Sequence, residues 1–269
     1  MHPEILRWGV LHITSYGLML AIAFLVGTWL SLREARRRQL NEDAIVTVIL
    51  VALVAAILGA RALYVVEHLR DFRGSTLSVL ALWQGGLTLY GGLFAGTAAG
   101  LVTGRRLGLP MWTMADALTP ALALGTMFGR VGCFLNGCCY GHPTRLPWGV
   151  VFPPDSFASL EFGPVPVHPS QLYFAAAGLA LFVLARAARD RVRVPGVLFW
   201  GMLALMALVR IPLDLTRVYE AEAVVLDAGA LRITESQLTS VALVLFALLM
   251  IARLRREARP TPTPAPPGS

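Results

Sequence analysis

The chain has 269 residues, of which 56% are hydrophobic and 14% are charged, and its mean hydropathy is +0.65. This composition excludes an ordinary soluble domain and indicates an integral membrane protein. The formal net charge is +7 and all basic residues are arginine, but the arginines flank apolar runs, so we expect a membrane and no nucleic acid as partner.

Seven apolar runs recur along the chain, each long enough to cross a hydrocarbon core of about 30 Å at about 1.5 Å per helical residue. They predict an all-α integral membrane fold with seven transmembrane helices in a single polytopic domain, residues 1–259. The predicted spans are residues 14–32, 44–66, 86–104, 112–135, 168–188, 194–212 and 236–252.

Arginine-rich segments follow the first, third, fifth and seventh spans, which puts them on one side of a weaving chain. They are Arg33, Arg36, Arg37, Arg38, Arg105, Arg106, Arg186, Arg189, Arg191, Arg193, Arg253, Arg255, Arg256 and Arg259. By the positive-inside rule this side is the cytoplasm. The sequence therefore predicts an N-terminus outside and a cytoplasmic C-terminus. No cleavable signal peptide is expected, because the first run is long and lacks a small-residue cleavage site.

The third span carries a glycine every four residues, at Gly92, Gly96, Gly100 and Gly104. This spacing predicts a smooth helix face that packs closely on a neighbour. Further along, residues 136–167 form the longest loop, which we expect to be extracytoplasmic, and its segments 148–152 and 160–167 could form short strands or a small cap. Residues 260–269 are rich in proline and predict a disordered tail.

Polar residues from six spans share one predicted depth, close to the outer surface. They are Tyr16, Arg61, Tyr90, Arg130, His168, Gln171 and Arg210. An arginine within a span usually faces a cavity, a partner or an anion, and its planar fork suits phosphate. Three such arginines predict a lipid headgroup site, and the alternative for each is snorkelling to the interface. Asp214 follows Arg210 by four residues and could pair with it.

Three cysteines lie near the end of the fourth span, at Cys133, Cys138 and Cys139. They could ligate a soft metal, form a redox pair or simply pack as small buried side chains. Their spacing fits no strong metal template, and adjacent cysteines bridge each other poorly. The sequence alone thus leads us to expect no metal site.

Several segments, in order along nearly the whole chain, resemble the prolipoprotein diacylglyceryl transferases, bacterial inner-membrane enzymes. The segments are Tyr16-Gly17-Leu18-Met19, Leu58-Gly59-Ala60-Arg61, residues 83–96, residues 129–141 (Gly-Arg-Val-Gly-Cys-Phe-Leu-Asn-Gly-Cys-Cys-Tyr-Gly) and His168-Pro169-Ser170-Gln171-Leu172-Tyr173. Arg210, Asp214 and Arg217 add the family's arginine, acid, arginine spacing. The segment of residues 129–141 and the His-Pro-Ser-Gln-Leu-Tyr segment are specific to this family, and the other three segments are suggestive.

The resemblance implies a multi-pass enzyme of the bacterial cytoplasmic (inner) membrane. Its substrates would be phosphatidylglycerol and prolipoprotein signal peptides with a lipobox cysteine, whose thiol receives the diacylglyceryl group while glycerol phosphate leaves. No cofactor and no metal are implied. The implied catalytic residues are Arg130, Arg210, Tyr90 and His168, and the implied substrate-binding residues are Tyr16, Arg61, Asn136, Gly141, Gln171, Asp214 and Arg217.

The chain departs from the family pattern where protons are handled. Tyr90 stands where the family usually has a histidine, Cys133 replaces an asparagine and Cys138 replaces a glutamate, while His142 stands where arginine is frequent. His142 or His168 could supply the missing base. Two alternatives to the transferase stay open at this point: a paralogue that binds phosphatidylglycerol but uses another acceptor, and an anion transporter.

Overall fold

The computed structural model describes residues 4–8, 11–70, 72, 79, 85–219, 224–228 and 231–258. Its helices are α1 Ser15–Arg37, α2 Glu42–Glu67, α3 Leu89–Arg106, α4 Met111–Asn136, α5 Phe157–Phe162, α6 Ser170–Ala188, α7 Val197–Asp214 and α8 Glu235–Glu257, and its strands are β1 Glu4–Trp8, β2 Leu11–Thr14, β3 Val224–Ala228 and β4 Leu231–Thr234. Trp83, Gln84, Arg259 and the tail of residues 260–269 lie outside the described residues, so the prediction of a disordered tail stays a prediction.

Six of the described helices are long and apolar enough to cross a membrane, namely α1, α2, α4, α6, α7 and α8. Large apolar side chains on them remain exposed, for example Leu25 at 68% and Leu249 at 69%, as expected for surfaces that face lipid. The predicted limits agree with these helices, except that α1 and α8 each run five residues further, to Arg37 and Glu257. Hydropathy ends a span at the first charges, whereas the helix continues through arginines, which are good helix formers.

The third predicted span is a helix, α3, but it is not among the six. Its five glycines and its two terminal arginines lower its hydropathy. The helix is 18 residues long, which at about 1.5 Å per residue spans about 27 Å. A total of seven membrane-spanning helices therefore stays a prediction.

The chain divides into two compact units, of which the first comprises Met1–Gly27 with Leu118–Ser269 and the second Thr28–Ala117. In the second unit, α3 packs along α2 through its glycines. A Cβ built on Gly92 would lie 3.1 Å from the Ala56 carbonyl oxygen, and one on Gly96 would lie 3.0 Å from that of Ala52. The predicted smooth helix face is thus confirmed, and small residues bring the two backbones together.

Gly91→Ala is expected to destabilise this helix pair. A Cβ at residue 91 would clash with the Gly59 carbonyl oxygen and would lie 2.6 Å from the Leu63 Cβ, so α2 and α3 must separate. Overpacking of this kind costs about 1–3 kcal/mol. The matched control is Gly100→Ala on the same helix, whose Cβ would make ordinary contacts at 3.5 Å with Ala52. Thermal denaturation in detergent should show a lower midpoint for Gly91→Ala alone, and equal midpoints for the two variants would contradict this packing.

In the first unit, small residues again set the helix contacts. A Cβ on Gly178 of α6 would lie 2.9 Å from the Met127 backbone nitrogen of α4, and one on Gly132 of α4 would lie 3.0 Å from the Tyr16 ring of α1. Helix α7 packs against both α6 and α8. Helices α4, α6 and α7 thus lie in one unit with the start of α1.

Two antiparallel hairpins, β1–β2 and β3–β4, were not anticipated by the all-α prediction. They share one pattern, because Glu4 pairs with Thr14 and Val224 with Thr234, with a register shift two residues later in both. Each hairpin ends at a threonine whose hydroxyl accepts a backbone N–H of the following helix, from Gly17 or Gln237. The hairpins escaped prediction because each strand is only four or five residues long.

Residues 136–167 have their own small core, as expected for a cap, and the alternative of short strands is largely wrong. Phe152, Ala158 and Val167 are buried there and pack against Phe134 and Tyr140. Residues 160–162 lie in the short helix α5, which begins after the N-cap Ser156, and Val150 pairs with Val167 only in an isolated bridge. The sequence analysis did not identify Ser156 as the cap of a helical turn, which is why it missed helix α5.

Candidate active site

The backbone of residues 140–142 lies between two other segments of the first unit. The Gly141 N–H donates to the His168 carbonyl at 3.0 Å, and the His142 N–H donates to the Thr216 carbonyl at 3.0 Å. In return, the His168 N–H donates to the His142 carbonyl at 2.9 Å. The loop after α4 is thereby held against the start of α6 and the end of α7, three of the places where the sequence predicted site residues.

Gly141 is required by space at this junction. A Cβ at residue 141 would clash with the Thr216 carbonyl oxygen, and would lie 2.5 Å from the Ser170 hydroxyl and 2.6 Å from the His168 Cβ. The Ser170 hydroxyl is itself fixed, because it lies 2.9 Å from the Thr216 hydroxyl and is fully buried. The predicted role of Gly141, close approach of backbone, fits this geometry.

Arg130 lies two turns before the end of α4. Its guanidinium carbon is 4.5 Å from the centre of the buried Phe174 ring, a cation–π contact that fixes the side chain. Within the part of the chain that the structure describes, Arg130 has neither a hydrogen bond nor an ion pair. The donors of this half-buried guanidinium are therefore not used by any described residue.

Among the described residues, only the Nε of Arg210 has hydrogen-bond partners. Its Nε lies 2.7 Å from the Ser236 hydroxyl and 3.5 Å from Asp214 Oδ2, which confirms the predicted pair with Asp214. Asp214 is buried and also accepts hydrogen bonds from the hydroxyls of Ser236 and Tyr219. The two terminal nitrogens of Arg210 make no hydrogen bond to any described residue, and 39% of the side chain is exposed.

Arg217 connects this carboxylate network to the cysteines. Its Nη2 donates to the Cys139 sulfur at 3.2 Å, and its Nη1 lies 3.4 Å from the Tyr219 hydroxyl. Its Nε is buried and has no hydrogen-bond partner among the described residues. Arg210 and Arg217 thus contact one hydrogen-bonded network in the first unit, which includes Asp214, Tyr219 and Cys139.

The three cysteine sulfurs lie within 4.8 Å of one another, and none of the three residues forms a disulfide. Cys139 has a positive φ of 62°, which is uncommon for a residue other than glycine and costs about 1–2 kcal/mol. Hydrogen bonds with the thiols of Cys133 and Cys138, and then the charges of Arg217 and Arg130, lower the pKa of the Cys139 thiol, while burial opposes them.

Four further predicted site residues lie in the same unit. Gln171 is fully buried and its Nε2 donates to the Cys138 carbonyl at 2.7 Å. His168 Nδ1 lies 3.2 Å from the Tyr173 hydroxyl, which accepts a hydrogen bond from the Trp148 indole at 2.8 Å. Asn136 ends α4 immediately before the cysteine loop, and Tyr16 sits over Gly132 on the preceding turn. The structure thus places eight of the predicted residues with Arg130 in one unit.

A hydrogen bond between Tyr140 and Glu161 connects the cysteine loop to helix α5 of the cap. The phenol donates a short hydrogen bond to the Glu161 carboxylate. Burial, and then this carboxylate, raise the pKa of Tyr140 to about 12, so the phenol stays protonated and neutral at physiological pH.

Arg61 and Tyr90 belong to the second unit. Arg61 is buried, and its guanidinium donates to the carbonyls of Val79, Gly85 and Gly86 at 2.6–3.0 Å. These bonds fix the segment before α3, which is a structural role that the sequence did not indicate. Tyr90 is 54% exposed and stacks on Phe94. Substrate binding by Arg61 and catalysis by Tyr90 stay predictions.

The sequence analysis missed three residues that contact the arginines of the candidate site. Phe174 contacts Arg130, Tyr219 contacts Arg217 and Ser236 contacts Arg210. Tyr219 carried a signal, since it follows Arg217 by two residues. Ser236 carried none, because it lies on α8, whose sequence looks like an ordinary apolar span.

Residues 3–253 match the sequence profile of a family described as prolipoprotein diacylglyceryl transferase. A relative from Trichormus variabilis is 33% identical over 271 residues, which cover 97% of this chain and 92% of the relative. A relative from Geobacter sulfurreducens is 35% identical over 224 residues, covering 82% and 84%. A third, from Nostoc sp., is 32% identical over 275 residues, covering 98% and 93%. All three are named phosphatidylglycerol–prolipoprotein diacylglyceryl transferase.

Proposed function

The chain belongs to the prolipoprotein diacylglyceryl transferase family, and from this premise we propose how its first unit carries out the reaction. The protein transfers the diacylglyceryl group of phosphatidylglycerol to the lipobox cysteine thiol of prolipoproteins. The leaving group is glycerol phosphate, an anion. The observation that carries the proposal is the pair of arginines, Arg130 and Arg210, whose terminal donors have no partner within the described chain.

Arg130 and Arg210 bind the phosphate of the lipid. A guanidinium offers two parallel N–H groups to a phosphate, and this geometry strengthens as negative charge moves onto the leaving oxygen. Arg210 keeps its orientation because buried Asp214 and Ser236 hold only its Nε. Arg130 keeps its orientation because it stacks on Phe174. Two cations at a low-dielectric site offset the charge of the phosphate far better than water-exposed arginines would.

The bond changes are simple. The peptide sulfur, as thiolate, forms a bond to the glycerol carbon that bears the phosphate, and the carbon–oxygen bond breaks toward the phosphate. Tyr16, Asn136 and Gln171 place the headgroup from the same unit, and Gly141 allows the backbone beside them to come close. Arg217 adds positive charge near the network. His168, which lies in the same unit, is the proposed proton acceptor.

The protein spans the bacterial inner membrane seven times, because α3 crosses it in addition to the six helices named above. The N-terminus lies outside. The arginine-rich segments at the ends of α1, α3, α6 and α8 support this orientation, because all four lie on one side of a weaving chain. The cap of residues 136–167 is then extracytoplasmic, where phosphatidylglycerol of the outer leaflet and the lipobox of a translocated precursor meet. Both substrates enter laterally from the lipid.

The direct test is transfer by purified protein in detergent. Phosphatidylglycerol labelled in its acyl chains is incubated with a lipobox peptide, and a peptide with serine in place of the cysteine is the control. We expect label on the cysteine peptide only, together with release of glycerol phosphate. Folded protein that binds phosphatidylglycerol but labels neither peptide would overturn the transferase proposal and favour a paralogue with another acceptor.

A further inference from the structure

A narrow apolar groove lies between α4 and α7, on the faces of these helices that carry the two phosphate-binding arginines. The α4 wall of the groove is formed by Thr119, Leu122, Ala123 and Thr126. These residues precede Arg130 by eleven, eight, seven and four positions, so all five share one stripe of about 100° on the helix surface. The groove therefore begins one turn before Arg130 and continues toward the start of α4.

The α7 wall has the same spacing relative to its own arginine. It is formed by Phe199, Met202, Leu203 and Met206, which precede Arg210 by eleven, eight, seven and four positions. Each wall thus continues directly into one of the two arginines that we assign to the lipid phosphate.

Both arginines lie at the same end of this α4–α7 groove. The His142 N–H, just after α4, donates to the carbonyl of Thr216, just after α7, so the ends of the two helices are held together. Helix α6 closes the groove from behind through Leu181, which is 4% exposed. Leu181 follows Phe174 by seven residues on the same helix face, and Phe174 contacts Arg130.

The lining of the groove suits a hydrocarbon chain. Among the described residues that line it, none is charged, and the Thr126 hydroxyl is used by the Leu122 carbonyl at 3.2 Å. The floor is buried, with Ala123 at 8% exposure, whereas Leu122 at the rim is 58% exposed, so a chain can enter from the surrounding lipid.

The dimensions exclude a helical peptide as the occupant. The groove has a volume of about 100 Å³ and extends over seven residues of each wall, about 10 Å along the helix axis. A helix with its side chains is about 10–12 Å across, so the apolar segment of a signal peptide is too wide. A single flexible chain is not.

The depth of the groove matches the length of a lipid chain. Positions four to eleven residues before the arginines lie about 6–16 Å from them along the helix axis. One leaflet of a hydrocarbon core about 30 Å thick extends over about 15 Å. A lipid whose phosphate lies at the arginines therefore has its acyl chains at the depth of the groove.

We propose that the α4–α7 groove binds one fatty acyl chain of the phosphatidylglycerol molecule whose phosphate Arg130 and Arg210 hold, and that it selects lipids by chain length. The inference rests on the proposed function, which assigns the phosphate to these arginines. With the phosphate and one chain both held, the glycerol carbon between them has a fixed position for attack by the thiol. The second chain stays in the bilayer.

Binding is tested on the unaltered, full-length protein by photolabelling. Phosphatidylglycerol with a diazirine near the end of one acyl chain is irradiated with the protein in nanodiscs, and labelled residues are mapped by mass spectrometry. The control is diacylglycerol with the same diazirine chain, which lacks the phosphate. We expect phosphatidylglycerol to label Met202 and Leu203, and diacylglycerol to label them several-fold less. Equal labelling of these residues by both lipids, or label confined to exposed positions such as Leu208, would show bulk lipid only and overturn the proposal.

Chain-length selectivity is tested with a variant that fills the deeper half of the groove. Met202→Trp should lower the ratio of kcat/KM for dipalmitoyl to that for dihexanoyl phosphatidylglycerol by roughly tenfold or more, the lower end of the discrimination that an apolar pocket provides. The short chains do not reach residue 202, so their transfer should change little. Leu208→Trp adds the same ring to the opposite face of α7, where Leu208 is 54% exposed, and should keep the wild-type ratio. An unchanged ratio in Met202→Trp would contradict a chain site in this groove.

The two proposals fail in different ways. Transfer to the lipobox peptide with no phosphate-dependent label in the groove would overturn the acyl-chain site and leave the transferase proposal intact. Phosphate-dependent label at Met202 and Leu203 in protein that transfers nothing to the peptide would overturn the proposed function alone.

Discussion

Arg210→Ala lowers diacylglyceryl transfer by roughly 100- to 1,000-fold, the expected cost of removing one charged donor from a developing oxyanion. The reason is that the terminal nitrogens of Arg210 are its only donors left for the lipid phosphate, since Nε is bound to Ser236 and Asp214. The protein should still insert and keep its fold, because the Ser236 hydroxyl and the Tyr219 hydroxyl continue to satisfy Asp214. The measurement is the transfer rate at saturating peptide, with phosphatidylglycerol concentration varied.

Two matched variants separate the position of the charge from its presence. Arg210→Lys keeps the charge but offers no planar fork, so we expect a loss in activity that is smaller than that of alanine. Arg145→Ala removes an exposed arginine of the cap and should change transfer little. An Arg210→Ala enzyme with wild-type rate, or an equal loss in Arg145→Ala, would contradict a specific phosphate site and indicate a general electrostatic effect.

Hydropathy predicted the membrane helices well, because in lipid every backbone polar group must be satisfied within the segment, which leaves few alternatives to a helix. Helix α3 is less apolar than the other predicted spans, because it contains glycines such as Gly92 and Gly96 that pack against α2. The hairpins before α1 and α8 were missed for a related reason. Their strands are short and lie beside spans, so the apolar pattern of the helix hides them.

The charged side chains of the candidate site could be proposed from the sequence, but their partners could not. An arginine inside an apolar run is conspicuous, so Arg130 and Arg210 stood out, and the spacing of four residues suggested Asp214. The sequence could not distinguish Arg61, which has the same surroundings along the chain but donates to three carbonyls of a neighbouring segment. The cysteine cluster also escaped, because it depends on the backbone angles of Gly137 and Cys139 and not on spacing.

Gly141→Ala should lower both the stability of the protein and its rate of transfer. The added methyl group would clash with the Thr216 carbonyl and come within 2.6 Å of His168 Cβ, both of which belong to segments that flank the loop. Thr216 and His168 cannot move freely, because their backbones are hydrogen-bonded to the loop and the adjacent Ser170 is fully buried. We expect a stability loss of about 1–3 kcal/mol from overpacking and a transfer rate reduced by roughly 100-fold or more, as expected when site groups move by about 1 Å.

Gly201→Ala is the control with the same chemical change and the opposite surroundings. Gly201 lies within α7, and a Cβ there would meet no atom within 4 Å. Alanine favours a helix over glycine by about 1 kcal/mol, so this variant should be as stable as the wild type or slightly more stable. The measurements are the thermal midpoints and the transfer rates of the Gly141→Ala and Gly201→Ala variants. If Gly141→Ala matched Gly201→Ala in both, the backbone junction at residue 141 would not hold the site together. If only its activity fell, the loop position would matter for catalysis and not for folding.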